Sequence, residues 1–144
     1  LRWTELGFPA QGWSKGPAPF GYEYKEARTV LSDMRNHYQR LYLLHEFEIE
    51  QADYIAEIGL MINYDDAFIA YLNGKEVVRR NVGRGAGKDA KDIKPHDAAK
   101  HRYYILKDFE KYLKDGRNVL AIEGHNATLD SSDFLIDPYL ILEE

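Results

Sequence analysis

The chain has 144 residues, 44% of them hydrophobic and 30% charged, with a formal net charge of −5. That length fits one domain, which buries roughly two-thirds of the surface its unfolded chain exposes. The lack of cysteine excludes a disulfide scaffold, a thiolate metal site and a cysteine nucleophile, and no apolar run approaches the roughly 20 residues of a membrane helix. The charge is uneven: residues 75 to 102 carry nine Lys/Arg against four Asp/Glu, a net +5 that leaves −10 on the remainder. Asp89, Asp92 and Asp97 interrupt this basic run and no aromatic lies within residues 80 to 101, which is the pattern of a solvated loop and not of a nucleic-acid surface. A start at Leu1, without an initiator Met or signal-peptide regions, predicts a processed or excised piece of a longer protein.

Taken in chain order, residues 1 to 40 scatter Trp3, Phe8, Trp13 and Phe20 among glycines and prolines, which predicts a turn-rich wrap with the two tryptophans as anchors, then a short strand and loop. Leu41 to Ile49 alternates, setting Leu41, Leu43, His45, Phe47 and Ile49 on one face of a half-buried strand. His45 there reads as a core or rim histidine, not a ligand. Strands are expected at Ile55 to Asn63, Ala67 to Leu72 and Lys75 to Arg79. Asn73-Gly74 between the last two is the φ > 0 pair of a two-residue type I′ hairpin.

Residues 80 to 101 read as a long loop rich in Gly, Lys and Asp, of the kind kept for binding or left mobile. Arg102 to Leu106 is expected to be a strand, Lys107 to Lys114 one or two helical turns stopped at Asp115-Gly116, and Arg117 to His125 a strand apolar on both faces at Val119 to Ile122, hence central in its sheet. Phe134 to Leu142 closes the domain, with Pro138 marking an edge or a bulge. Seven or more strands and one short helix predict an all-β sandwich.

Four segments carry a family resemblance: Gly12-Trp-Ser-Lys-Gly-Pro-Ala-Pro-Phe-Gly-Tyr22, Tyr64-Asp-Asp-Ala-Phe-Ile-Ala-Tyr-Leu-Asn-Gly-Lys-Glu-Val77, Gly116-Arg-Asn-Val-Leu-Ala-Ile-Glu-Gly-His-Asn126 and Ser131-Ser-Asp133. Together, over most of the chain, they resemble the galactose-binding-domain-like jelly-roll modules that accompany secreted, often carbohydrate-active, bacterial proteins. The resemblance implies a jelly-roll β-sandwich, a secreted or periplasmic location, a neighbouring catalytic domain and, in some members, structural calcium. Ala67 stands where the family often has Gly, and Gly124 where an apolar residue is usual; the latter predicts a bulge or close approach near His125.

Asp65-Asp66 is open to four readings: turn former, sugar-hydroxyl acceptor, metal ligand, or acid and base. The turn reading leads, because Asp bonds backbone two residues on and adjacent strand positions point to opposite faces. His125, Asn126, Ser131, Ser132 and Asp133 bracket Ala127 to Asp130, so they gather at one end of the sandwich as a polar network, a ligand site or a hydrolase triad; no Gly-x-Ser-x-Gly elbow supports the last. No zinc or EF-hand spacing occurs, and His96 and His101 sit in the basic loop. Asn126-Ala-Thr128 fits a glycosylation sequon.

Tyrosine is abundant, with eleven copies, and Tyr64, Tyr71, Tyr103 and Tyr104 on strands suit either sheet packing or the stacking of pyranose rings. The leading expectation is a non-catalytic carbohydrate-binding accessory domain with no catalytic residues, no metal ligands and no required cofactor, and with neither nucleic acid nor membrane as partner. Its candidate ligand residues are Tyr64, Asp65, Asp66, Tyr71, Arg79, Arg84, His125, Asn126 and Asp133. If Arg79, Arg80, Arg84 and Lys88 line the site, an anionic polysaccharide is preferred, and a neutral one otherwise. The alternatives are a structural module packed on a catalytic domain, and a small hydrolase using His125 to Asp133.

Overall fold

A computed structural model describes all 144 residues. The strands are β1 (Phe20–Tyr22), β2 (Thr29–Val30), β3 (Arg40–Ile49), β4 (Glu57–Asp65), β5 (Ala67–Leu72), β6 (Lys75–Arg80), β7 (Val82–Arg84), β8 (Lys91–Ile93), β9 (Arg102–Ile105), β10 (Gly116–His125) and β11 (Phe134–Glu143), with one short helix, α1 (Phe109–Tyr112). Strands hold 46% of the residues against 7% in helical turns, which makes the protein all-β. A five-stranded sheet runs β2-β1-β11-β4-β9, a four-stranded sheet runs β3-β10-β5-β6, and β7-β8 form a separate ribbon.

The period of two along each strand decides what lies between the sheets. Ile58, Leu60, Ile62 and Tyr64 of β4, with Phe134 and Ile136 of β11, meet Phe68, Ala70 and Leu72 of β5 and Leu120 and Ile122 of β10 in one cluster of 18 buried residues. Burying each large side chain there stabilises the fold by about 1.5–3 kcal/mol. Gly124 lies on the same side of β10, and a Cβ on it would come within 3.0 Å of Phe134 and 3.1 Å of Ile136. Close approach, not a bulge, therefore explains this glycine, since the β10 ladders run in continuous register through it.

The two outer faces are covered differently. On the four-stranded sheet, Ala67 and Ile69 pack beneath Val82, Ala90 and Ile93 of the β7-β8 ribbon. Beside them Trp3 meets Tyr42 and Tyr71 edge-on at 4.8 and 6.0 Å, so it anchors the N-terminal wrap as predicted, whereas Trp13 is exposed and its ring meets only Trp3 and Phe8 of the wrap itself. On the five-stranded sheet, residues 94–101 cross one half of the outer face as a strap and leave the other half open.

Several expectations shift. Residues 80–101 are no plain loop: β7, a 3-10 turn at Gly87–Asp89 and β8 give this stretch backbone partners of its own. β1 forms inside the predicted wrap, and β4 begins and ends two residues later than expected because Ala52–Tyr54 is a 3-10 turn. The hairpin has φ of 49° at Asn73 and 87° at Gly74, as a type I′ turn requires. β10 is central, between β3 and β5. His45 is exposed and stacks 6.3 Å from Phe47, a rim histidine. β1 covers β11 only at Phe134–Ile136, while the β4 ladder continues unbroken through Pro138, so Pro138 sits on an edge.

Candidate functional site

β4 ends at Asp65, and Asp66 forms the bend into β5. Asp66 does not bond its own turn. Its Oδ1 accepts the His96 N–H at 3.0 Å and its Oδ2 the Ala127 N–H at 2.8 Å, so one carboxylate clamps both the strap and the β10–β11 loop. Asp65 is 1% exposed; its Oδ2 accepts the Tyr24 hydroxyl at 2.7 Å, whereas its Oδ1 has no partner. Carboxylate oxygens of Asp65, Asp97 and Asp133 all lie within 4.8 Å of one another. Burial pushes the Asp65 carboxyl up to about 8, with the Tyr24 hydroxyl opposing and the Asp66 and Asp133 carboxyls adding to the rise. Asp97 and Tyr24 are absent from the sequence-based site, because the strap's path brings the one, and the turn after β1 the other, to the end of β4.

His125 and Asn126 are used elsewhere. His125 Nε2 lies 2.7 Å from Glu123 Oε2, and Glu123 also accepts the Tyr71 hydroxyl and the Gly87 N–H, both at 2.6 Å. This group lies on the outer face of the four-stranded sheet, opposite the core, beneath the ribbon. Burial alone would raise the Glu123 carboxyl, but bonds from His125, Tyr71 and Gly87 outweigh it and hold the group below its usual value. Asn126 is wholly buried and donates to the Tyr22 hydroxyl, which also closes the Asn126 sequon to modification. Ser131 donates to the Asp133 carbonyl, so the partner of His125 is a carboxylate and not a serine. Glu123 escapes sequence reasoning, its one signal being a charge inside an otherwise apolar strand.

The other candidates are likewise committed. Tyr64 is buried and stacks on His96 at 4.2 Å. Arg79 pairs with Glu76 at 2.8 Å and donates to the Gly85 carbonyl at 2.8 Å. Arg84 pairs with Asp92 at 3.0 Å, and Arg80 lies 4.3 Å from the Tyr104 ring centre. The structure thus brings Asp65 and Asp133 together, and it separates them from His125, Tyr71 and the arginines. Of the basic side chains, Arg79 and Arg80 line one cleft with Tyr103, Tyr104 and Lys107, and Arg84 and Lys88 do not join them there.

An open surface lies on the uncovered half of the five-stranded sheet. Tyr103 of β9 and Tyr139 of β11 both stand directly opposite Met61 of β4. Two inter-strand spacings of ~4.8 Å therefore place them about 10 Å apart. The phenol of Tyr103 lies across Gly59, occupying the space where a Cβ would be, and its hydroxyl donates to Glu57 at 2.8 Å. Burial, with Glu57 adding to the effect, pushes this hydroxyl up to about 12. Tyr139 is 54% and Ile105 55% exposed. His101, bonded to Asp137 at 2.7 Å, stands 5.4 Å from the Tyr139 ring, so polar groups flank the aromatic strip at both ends.

A cleft of about 370 Å³ opens beside this strip, where β1 stops short; Leu43, His45, Ile122, Pro138 and Leu140 are among its lining residues. No known protein family, no characterised protein and no solved structure matches the chain.

Proposed function

We propose that the protein is a non-catalytic carbohydrate-binding module with a jelly-roll, galactose-binding-domain-like fold, acting as an accessory domain of a secreted polysaccharide-active protein. The observation that carries this reading is the pair of exposed rings, Tyr103 and Tyr139, on either side of half-buried Met61 on one sheet face. Aromatic faces held flat on a sheet stack against the C–H faces of sugar rings, while flanking polar groups orient the hydroxyls. Glu57 and Glu143 pair across β4 and β11 at one end, and His101 with Asp137 stands at the other. These groups accept and donate hydrogen bonds, and Arg79 and Arg80, which line the cleft bordered by Tyr103, are engaged by Glu76 and the Tyr104 ring, so the expected ligand is a neutral polysaccharide bound along the face. The committed arginines argue in the same direction.

Affinity electrophoresis through gels containing neutral or acidic polysaccharides tests the proposal. Retardation by a neutral glycan, lost in Tyr103→Ala and Tyr139→Ala, is expected. Free migration in every gel, or retardation unchanged in the double variant, would overturn it and favour the second reading, in which this face and the adjoining apolar cleft pack against a catalytic domain.

A further inference from the structure

We propose that Asp65, Asp97 and Asp133 bind one calcium ion that ties the strap and the β10–β11 loop to the end of β4. The three carboxylates come from separate parts of the chain: the last residue of β4, the strap, and the residue before β11. Their oxygens lie within 4.8 Å of one another, and oxygens bound to one calcium at 2.3–2.6 Å stand at most about 5 Å apart.

A second observation is independent of this convergence. Asp65 is 1% exposed, yet its Oδ1 has no hydrogen-bond partner. Buried carboxylate oxygens are ordinarily satisfied, and leaving one bare beside other carboxylates is costly. A cation among the three groups turns that repulsion into attraction.

The donor set chooses the ion. Three carboxylates without histidine or cysteine suit a hard cation. Calcium accepts irregular oxygen shells completed by carbonyls and water, whereas magnesium demands near-octahedral geometry at shorter distance. Asp97 is also placed in advance: the N–H groups of His96, Ala98 and Ala99 around it are bonded to Asp66, Tyr24 and Asn63. Little ordering of the strap is then left for the ion to accomplish. This inference is independent of the carbohydrate reading, and its test involves no glycan.

Thermal unfolding of the whole chain in 2 mM EGTA, or in about 10 mM calcium or magnesium chloride, tests it. With a dissociation constant of about 10⁻⁴ M, calcium should raise Tm by about 5–10 °C. Asp97→Asn, at an exposed position, and Asp133→Asn should fold and lose that rise, and titration calorimetry with calcium should give one site in the unaltered chain and none in the variants. A Tm equal in calcium and EGTA, or a full rise in the Asp97→Asn, Asp133→Asn double variant, would overturn the site. An equal rise with magnesium would overturn the choice of calcium.

Discussion

Glu123 and His125, two residues apart on β10, share a 2.7 Å hydrogen bond although their side chains are only 1% and 3% exposed. Strand alternation puts both on one face, and the ribbon that covers them returns an N–H from Gly87 to the same carboxylate. The pair therefore fastens the basic segment to the four-stranded sheet from below.

A pH dependence follows from the direction of the Glu123 shift. Its carboxyl sits below the usual 4.5 in the folded protein, so its contribution is fully present above that value and is lost as pH falls through the folded one. Glu123→Gln should cost about 3 kcal/mol at neutral pH, because it removes one member of a buried pair. Urea unfolding from pH 7 to pH 3 checks this: the gap between unaltered chain and variant should narrow below pH 4.5, and a constant gap would refute the assignment.

Asn73 supplies more than a turn conformation. Its Nδ2 donates to the Tyr112 carbonyl at 2.8 Å and to Asn118 Oδ1 at 2.9 Å, while its Oδ1 accepts the Val119 N–H at 2.9 Å. Asn73→Ala puts an unfavourable residue at φ 49°, removes one of the two donors to the buried Asn118 Oδ1 and leaves the Val119 N–H without its side-chain acceptor, so a loss of about 2–3 kcal/mol is expected. Asn73→Gly keeps the turn and should lose less. The difference in chemical-denaturation midpoint between the two variants reports the strain at positive φ, and an Asn73→Gly midpoint equal to that of the unaltered chain would show that the side-chain bonds contribute nothing.

At Gly124 the prediction concerns crowding. A Cβ would already stand 3.0 Å from Phe134, and Gly124→Val adds two methyl groups against Phe134 and Ile136. Overpacking of this kind costs about 1–3 kcal/mol. Phe134→Leu in the same chain should recover part of the loss, measured as a rise in Tm of the double variant over Gly124→Val; no recovery would place the strain elsewhere.

Salt separates the two ways a glycan is held. Charge contacts are screened over about 8 Å at physiological ionic strength, whereas ring stacking is not. Binding centred on Tyr103 and Tyr139 should hold from low to high salt, fall about tenfold for each Tyr→Ala change, and survive Arg84→Ala with Lys88→Ala. Steep weakening with salt, read by calorimetry, would move the site to the basic ribbon.

Legibility in the sequence tracked the range of the interactions. The Asn73-Gly74 turn and the central β10 are readable because adjacent residues determine them: a φ > 0 pair, and an apolar centre without alternation. The wrap's anchoring by Trp3 is readable for the same reason, as rings among glycines and prolines have few other uses. The candidate binding face is not, since Tyr103 and Tyr139 become neighbours only when β9 and β11 flank β4. Asp65 was visible as part of a pair with Asp66, but its spatial companions are Asp97 and Asp133, 32 and 68 residues further along. Turn chemistry explained Asp66 too locally: its carboxylate reaches His96 and Ala127, a use of Asp that no short pattern encodes.

Pro138 bears on how copies of the protein behave toward one another. Beyond Ile136, β11 has no neighbour on the β1 side, leaving Pro138 to Glu143 as an open sheet margin. Such a margin invites a strand from another molecule, and a run of free amides would extend the sheet into a fibre. Proline offers no amide hydrogen at the first position of this margin, so an incoming strand meets a gap in the ladder where pairing would begin. The residue that interrupts nothing within the fold thus guards the protein in concentrated solution, and replacing it would expose its effect first as self-association.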